Sequence, residues 1–310
     1  MKKIFVLLLT LMLAASMLTF AHADEIKVAF ITQSLENASQ AYAWTQFQKY
    51  APEYGFTVQV FQEDYDPQKG VAAIGTCIAD GYKAICINPT DPSAIIPALM
   101  DAQAAGVIVG MYSSELPADF KEYRDFMCGT DDYMAGQVAA QTLMTAFPDG
   151  CNVVEIGGQS GHDAQIKRHD GFVDTIEGTN INLLDSQDCA AWASDDAQAI
   201  AEDFIVKYGD EIDAIYCHWD IGATGIIQAL KTAGIQGVYV IGVDGCKVGY
   251  DQVREGTQAL SIGQSFSQMT QDAFGCITKI LNGEEAPDVV WTALDVVTAE
   301  TIDNFPYPEW

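Results

Sequence analysis

The stretch Val238-Tyr239-Val240-Ile241-Gly242-Val243-Asp244-Gly245 contains the pattern that decides the fold. Its first four residues are apolar on both alternating faces, as a strand must be when helices cover both sides of a parallel sheet. Asp244 and Gly245 follow at once, so a carboxylate stands where the strand ends. We predict a buried parallel strand here with a polar group at its carboxyl end.

Ten other segments share this strand-like character, and helical patterns separate most of them; Val71, Ile74 and Ile78, for example, fall on one helical face. Strand starts lie roughly 20–30 residues apart, which is the spacing of βαβ units. The predicted strands are Ile26–Thr32, Thr57–Gln62, Ala84–Asn88, Val107–Tyr112, Phe126–Gly129, Asn152–Ile156, Ile181–Ser186, Ala214–His218, Val238–Gly242, Ala259–Gly263 and Val289–Thr292. This number favours two doubly wound α/β lobes over one eight-stranded barrel, although periodicity leaves a decorated barrel open.

The amino terminus has the three parts of a secretory signal peptide. Lys2 and Lys3 precede the apolar run Ile4–Leu13, and Ala21-His22-Ala23 places small residues before a cleavage point. The apolar run is too short to span a bilayer comfortably, and no Cys at the cleavage point offers a lipid anchor. We predict that residues 1–23 are removed and that the remainder is a soluble periplasmic or otherwise extracytoplasmic protein.

The composition is strongly acidic, with 43 acidic against 15 basic residues and a formal net charge of -28. Such a surface repels phosphate backbones and anionic lipid, which argues against nucleic acid and membrane-surface partners. Hydrophobic residues make up 49% of the chain, so it can bury a core rather than stay disordered. We predict a globular protein that is monomeric.

Eight cysteines are spread along the chain without the CxxC or Cys/His spacing of a zinc site. Several lie inside apolar runs such as Ile85-Cys86-Ile87, where cysteine behaves as a small buried hydrophobe. Free buried thiols are expected, and export leaves one or two disulfide bridges open. No metal and no cofactor is predicted.

Four short segments lie in a characteristic order along the chain. They are Ile87-Asn88-Pro89-Thr90-Asp91, Gly129-Thr130-Asp131-Asp132, Arg168-His169-Asp170-Gly171-Phe172 and Ile241-Gly242-Val243-Asp244-Gly245. In order and spacing, these segments resemble the type I periplasmic binding proteins, particularly the ribose-binding protein and its sugar-binding relatives. The resemblance covers nearly the whole chain after residue 23.

This resemblance implies two doubly wound parallel-sheet lobes joined by a hinge of three crossings. The amino-terminal lobe would comprise residues 24–129 and 265–292, and the carboxy-terminal lobe residues 130–264 and 293–310. It also implies a binding protein rather than an enzyme, which captures a sugar or related polyol and delivers it to the permease of an ABC transporter. A ligand that bridges both lobes would favour the closed state.

Polar residues follow the predicted strands of the first lobe, where ligands of open α/β sheets bind. Gln33 and Asn37 come after the first strand, and Tyr112 and Ser113 stand at the end of the fourth. Amide side chains carry donors and an acceptor together, which suits hydroxyl groups, although Asn also favours turns and caps. We expect these four residues to contact the ligand.

The second lobe offers charged and aromatic candidates. The fork of Arg168 suits adjacent hydroxyls, an indole such as Trp192 can pack on the C–H face of a sugar, and Asp244 can accept hydroxyl donors. Each has a structural alternative: a salt bridge for the arginine, core packing for an indole and a helix cap for the aspartate. The second-lobe candidates are Arg168, Trp192, Trp219, Asp220, Asp244 and Gln264.

The chain departs from the ribose-type pattern at several of these positions. Ser39 and Gln40 stand where the family usually has aromatic residues, and Ser113-Ser114 replaces an Asp-Arg pair. Trp219 takes the place of an asparagine. These departures put the identity of the sugar in doubt more than the fold, so a non-sugar polar solute stays open.

Two other classes of function were weighed. The loop Gly157–Asp163 superficially resembles the nucleophile elbow of a hydrolase, but the residue required between Ser160 and the next glycine is missing. His162 and His169 lie seven residues apart, which is too far for an ordinary metal-chelating pair, although His162 can line the cleft. A ligand-binding component for a chemoreceptor or sensor kinase shares the fold and the binding event, so the sequence leaves it open.

Overall fold

A computed structural model describes residues 26–310, which form two six-stranded sheets. The predicted signal peptide, residues 1–23, lies outside the described residues. The first sheet has the order β11-β5-β4-β3-β1-β2, and all its neighbouring strands are parallel. Its strands are β1 (Ile26–Thr32), β2 (Phe56–Gln62), β3 (Ala84–Asn88), β4 (Ile108–Tyr112), β5 (Phe126–Thr130) and β11 (Val289–Thr292).

The second sheet has the order β12-β10-β9-β8-β6-β7, and its edge strand β12 is the antiparallel one. Its strands are β6 (Cys151–Gln159), β7 (Ile181–Cys189), β8 (Ala214–Cys217), β9 (Tyr239–Asp244), β10 (Leu260–Gly263) and β12 (Asp295–Thr298). The eleven predicted strands are thus confirmed within a residue or a few at each end, and β12 was missed. The fold class, two α/β lobes with doubly wound sheets, is confirmed.

Nine α-helices of the described residues pack on the faces of these sheets. They are α1 (Ala38–Tyr50), α2 (Pro67–Ala79), α3 (Ile96–Ala104), α4 (Asp132–Ala146), α5 (Asp163–Ile176), α6 (Ser194–Tyr208), α7 (Asp220–Ala233), α8 (Lys247–Glu255) and α9 (Phe266–Leu281). Side-chain oxygens of Asn37, Asp66 and Asp131 accept from backbone N–H groups at the starts of α1, α2 and α4, where helices have unpaired donors. No helix within residues 26–310 has both the length and the apolar character that crossing a bilayer requires.

Each sheet reverses its strand order beside its first strand. In the first sheet β1 lies between β3 and β2, and in the second β6 lies between β8 and β7. Ligands of open α/β sheets bind at the carboxyl ends of the strands that flank such a switch point. The two switch points therefore mark where a site should be built.

The chain passes between the two sheets three times, from β5 to α4, from β10 to α9 and from β11 to β12. The crossings are linked to one another by side chains. The hydroxyl of Thr130 donates to Oε1 of Gln264 at 3.0 Å, and the hydroxyl of Thr292 donates to the carbonyl of Gly129 at 3.4 Å. Neighbouring crossings of this kind form a hinge about which two lobes can rotate.

Apolar side chains fill both faces of each sheet, and all eight cysteines are buried and unbridged. Burial raises the pKa of the Cys77 thiol to about 12 and that of Cys151 to about 11. These thiols act as small core residues, in agreement with the expectation of free buried cysteines.

Candidate functional site

A cavity lies between the carboxyl ends of the two sheets, and residues of both lobes line it. Its lining contains amide, hydroxyl, charged and aromatic side chains. They are Gln33, Asn37, Ser39, Gln40, Asn88, Ser113, His162, Ala164, Arg168, Trp192, Trp219, Asp244, Gln264 and Phe266. Eight of the ten residues predicted for the site are among them, and Tyr112 and Asp220 are not.

Arg168 is held rigidly at the cavity wall. Its Nε and Nη2 donate to Oδ1 of Asp132 at 2.8 and 2.7 Å, and its Nη1 donates to the carbonyl of His218. Both partners of the ion pair are buried, so the pair must be well hydrogen-bonded to offset its desolvation. The Cζ atom of the guanidinium lies 5.7 Å from the ring centroid of Trp192, which is within cation–π distance.

A glycine explains how Arg168 and Asp132 come together. Helix α4 carries Asp132 at its first turn, and a Cβ at Gly136 would lie 2.2 Å from the carbonyl oxygen of Arg168. The lack of a side chain at Gly136 therefore lets α4 and α5 approach closely enough for the ion pair.

Trp192 and Trp219 form a perpendicular pair on the second lobe, with centroids 5.5 Å apart and an interplanar angle of 87°. Gly158 makes room for the first indole, since a Cβ there would lie 2.1 Å from the Trp192 ring. The Nε1 of Trp219 is buried without a hydrogen-bond partner among the described residues. A buried indole donor usually finds a partner, so this one is suited to a ligand oxygen.

Asp244 occupies a strained backbone position at the end of β9, with φ of 132°. Non-glycine residues rarely adopt positive φ, and such strain concentrates at functional sites. One of its carboxylate oxygens accepts from Nε2 of Gln264 at 2.8 Å. Burial and the nearby carboxylate of Asp220 raise its pKa well above the ordinary value, so hydroxyl donors from a ligand would stabilise its ionised form.

Asp220 supports the loop that follows Asp244, and its role as a ligand contact remains a prediction. Its carboxylate accepts from Gln258 at 2.7 Å, from Ser261 at 2.6 Å and from the backbone N–H of Gly245 at 2.9 Å. The side chain is fully buried and is not among the residues that line the cavity. Burial raises its pKa to about 6, although these hydrogen bonds oppose the rise.

Tyr112 is a core residue that is not among the cavity lining, and its contact with the ligand remains a prediction. Its hydroxyl lies 3.0 Å from that of Thr270 and donates to the carbonyl of Phe266 at 3.3 Å. Its ring meets Phe30 and Phe47 edge to face at 5.4 and 5.3 Å. Successive side chains of a strand point to opposite faces, and Tyr112 faces the helix layer.

On the first lobe the cavity wall is neutral. Oδ1 of Asn37 caps α1 by accepting from the backbone N–H of Ser39 at 3.0 Å. Asn37 is therefore a helix cap and also a residue of the cavity lining. Nε2 of Gln33 donates to Oε1 of Gln159 across the cleft at 3.3 Å. Ser113 has φ of 59°, and its N–H donates to the carbonyl of Cys128. Its hydroxyl is left for the cavity, which Ser113 lines.

Six cavity residues were absent from the predicted site, although the sequence analysis allows His162 to line the cleft. They are Ser39, Gln40, Asn88, His162, Ala164 and Phe266. Asn88 ends β3 beside the switch point, so its position in the strand was a usable signal. Gln40 and Phe266 lie in the first turns of α1 and α9, and no sequence pattern distinguishes them from core residues.

His162 and His169 do not form a metal-chelating pair, as their spacing in the sequence indicates. His162 caps α5, with Nδ1 accepting from the N–H of Ala164 at 3.2 Å, and its Nε2 meets Asn88 across the cleft. His169 instead pairs with Glu155, at 2.6 Å from Nδ1 to Oε2. Within residues 26–310, no group of three or more His, Cys, Asp or Glu side chains is arranged to hold a metal ion.

Comparisons with known proteins point in one direction. A family model described as "Periplasmic binding protein domain" matches residues 28–285. The ribose import binding protein of Escherichia coli K12 is 27% identical over 285 residues, covering 92% of this chain and 94% of that protein. The D-apiose import binding protein of Actinobacillus succinogenes is 27% identical over 256 residues, covering 83% and 81%.

Solved structures share the fold. A solute-binding protein from Actinobacillus succinogenes 130z with bound D-allose superposes with a TM-score of 0.84 at 25% identity, covering 91% of this chain and 100% of that one. A galactofuranose binding protein reaches 0.86 at 23% identity, covering 90% and 96%. These relatives are binding proteins, in agreement with the prediction that the chain is not an enzyme.

Proposed function

The chain belongs to the periplasmic binding protein domain family, and we propose that it captures a sugar or related polyol outside the cytoplasm for an ABC importer. One observation carries this proposal. The cavity between the two sheets presents Arg168, Asp244 and Gln264 beside the two perpendicular indoles. Charged groups with fixed hydrogen bonds and indoles that line the same cavity are together what a polyhydroxylated ring requires.

The polar groups complement hydroxyls in both directions. Arg168 can only donate, Asp244 in its ionised form can only accept, and the amides of Gln33, Asn37 and Gln264 can do both. A sugar hydroxyl is donor and acceptor at once, so a ring of hydroxyls can satisfy this set without leaving a buried charge unpaired. The aliphatic C–H face of the same ring would pack on Trp192 or Trp219.

Capture would proceed by closure of the lobes. Contacts that cross the cleft directly, such as Gln33 to Gln159 and Asn88 to His162, belong to a closed arrangement. A ligand that touches both walls binds this arrangement more tightly than an open one, and it shifts the population by that difference in affinity. The closed surface is then what the permease of the importer would recognise.

A thermal-shift screen of the mature chain tests the proposal. The panel contains D-ribose, L-arabinose, D-galactose, D-allose and myo-inositol, with amino acids and nucleosides as competing classes. A compound present at a hundred times its Kd should raise Tm by about 5 °C or more, because it binds the folded state alone. Stabilisation by amino acids or nucleosides, with none by any sugar or polyol, would refute the proposed ligand class.

A further inference from the structure

His162 and Asn88 form a contact between the two lobes at the edge of the cavity. The charged residues of the cavity, Arg168 and Asp244, do not account for this contact. Nε2 of His162 lies 3.1 Å from Oδ1 of Asn88, which comes from the opposite lobe. Both side chains are buried and both line the cavity. The contact therefore forms only when the lobes close, and it lies where a bound ligand would touch it.

Hydrogen-bond polarity determines how each side chain is oriented. Nδ1 of His162 accepts from the backbone N–H of Ala164, so it carries no proton. The proton of the neutral ring is then on Nε2, and it is donated to Asn88, whose carbonyl oxygen must be the acceptor. The amide nitrogen of Asn88 makes no hydrogen bond to residues 26–310 and is left to donate into the cavity.

The surroundings of the imidazole disfavour its charged form. Burial between the lobes, together with the positive charges of Arg168 and Lys167, lowers the pKa of His162 to about 3. The ring of Trp192 packs against it edge to face at 5.6 Å. The neighbouring carboxylate of Asp163 already accepts hydrogen bonds from Nζ of Lys167 at 2.7 Å and from the N–H of Glu115 at 2.9 Å.

We propose that His162 is a positioning residue of the ligand site that closes the lobes only when its ring is neutral, and that it directs the Asn88 amide hydrogens to an acceptor oxygen of the ligand. Ligand capture then releases a proton from His162. This inference rests on the proposed capture of a polyol between the lobes, and it adds that acid weakens that capture. It also assigns Asn88 a donor role toward the ligand.

The direction and size of the pH effect follow from linkage. In the closed lobes the pKa of His162 is about 3, and opening gives the ring back to water, so its pKa is higher in the open lobes. The open state therefore binds more protons, and closure weakens as the pH falls toward the open-state pKa. If the open-state pKa were the ordinary 6.5, the Kd would rise about tenfold between pH 7.5 and 5.5, and this is the upper bound of the effect. The pKa of Asp244 is raised in the same site, so a His162 variant is needed to isolate the effect.

Two substitutions separate protonation from structure. His162→Asn keeps an oxygen that can cap α5 but is too short to reach Asn88, and it cannot be protonated. We expect it to weaken binding about threefold to tenfold at pH 7.5, as the loss of one hydrogen bond does, and to lack the acid-dependent loss of the native protein. The opposite outcome, an acid loss in this variant equal to that of the native protein, would overturn the proposal.

Asn88→Asp keeps the acceptor for His162 but removes the amide donor. A carboxylate beside the ring stabilises imidazolium, so the ratio of Kd at pH 5.5 to Kd at pH 7.5 should fall from its native value, about ten at most, to one or below. If this ratio stays at the native value, His162 is not the titrating group. Titration calorimetry in buffers of different ionisation enthalpy, with whichever of the five named sugars stabilises the protein most, measures Kd and proton release together.

A second measurement does not need a ligand. Nitrogen-15 NMR of the imidazole groups at pH 7.5, assigned with His162→Asn, should show His162 protonated at Nε2 and not at Nδ1. The reverse tautomer would overturn the inference even if no sugar bound, whereas stabilisation by amino acids or nucleosides and by no sugar or polyol would refute only the proposed function.

Discussion

The two walls of the cavity are built differently. The wall from the second lobe carries Arg168, Asp244 and the indoles of Trp192 and Trp219, whereas the wall from the first lobe consists mainly of amides and hydroxyls. The charged wall is braced by a buried ion pair and hydrogen bonds, and the neutral wall by hydrogen bonds between uncharged groups, such as Thr32 to Gln40 and Ser39 to Asn37. We infer that the second lobe is a preorganised half-site and that the first lobe closes over a ligand already held there.

The bracing extends one layer behind the charged wall. Glu155 on β6 lies beneath it, with its carboxylate 2.9 Å from Nε2 of His218 and 2.6 Å from Nδ1 of His169. His218 in turn offers its carbonyl to Arg168. Burial alone would raise the pKa of Glu155, but the hydrogen bonds from the two histidines outweigh it and lower the pKa to about 2.

Removal of Arg168 gives the largest expected effect and tests the comparison most directly. Arg168→Ala removes several donors and leaves Asp132 as an unpaired buried carboxylate, so affinity for the captured sugar should fall at least about 100-fold. Titration calorimetry measures the loss, and the matched control is Lys207→Ala, which removes a charge from an exposed ion pair outside the cavity. Native affinity in Arg168→Ala would mean that the charged wall does not hold the ligand.

Glu155→Gln tests the bracing layer. The folded-state pKa of about 2 lies below the ordinary value of 4.5, so the carboxylate stabilises the fold by about 3 kcal/mol above pH 4.5 and loses this contribution as the pH falls toward 2. The isosteric amide should therefore lower the free energy of unfolding by about that amount at pH 7. Denaturant titrations of both proteins at several pH values measure this difference in the free energy of unfolding. A difference that does not shrink in acid would contradict this interpretation.

Trp192→Leu should cost less, about tenfold in affinity, because the apolar contact survives while the ring face is lost. Trp291→Leu is a suitable control, since Trp291 is 46% exposed and lies outside the cavity. Equal affinities for the two variants would place the sugar away from the indole pair. Tryptophan emission measured during ligand titration offers an independent readout of the same contact.

The smallest effect is expected on the neutral wall. Ser113→Ala removes one hydroxyl from the cavity, and the Kd should rise only about threefold, as for a single neutral hydrogen bond. Stopped-flow binding should assign most of the change to the dissociation rate, because the first lobe contacts the ligand after capture. A loss as large as that of Arg168→Ala would show that the two walls contribute equally, and the comparison would fail.

Much of this architecture could be predicted from the sequence. Continuous apolar runs such as Val238–Gly242 indicate buried parallel strands without any tertiary information. The predicted strands missed only Asp295–Thr298, a four-residue antiparallel edge strand whose Val-Val pair is too short to carry a period. Polar groups after buried strands and the family segments also mark Arg168 and Asp244, which the structure places in the cavity lining.

Two predicted residues that do not line the cavity show where such reasoning stops. Tyr112 and Asp220 both stand at the ends of predicted strands, as true cavity residues do. The strand pleat sends Tyr112 into the helix layer, and Asp220 turns inward to the N–H groups of the loop after Asp244. Position in the chain indicates which end of a sheet a residue occupies, but it does not indicate the direction of its side chain.

By itself the sequence determined the two α/β lobes, the acidic surface and the edge of each sheet where a ligand must bind. These properties depend on local periodicity and composition, which every segment carries within itself. Only the tertiary structure decided that His162 meets Asn88, 74 positions away in the chain, and that Arg168 is locked against Asp132. Such pairs depend on how the lobes and helices pack, because their geometry is set by contacts that no single segment contains.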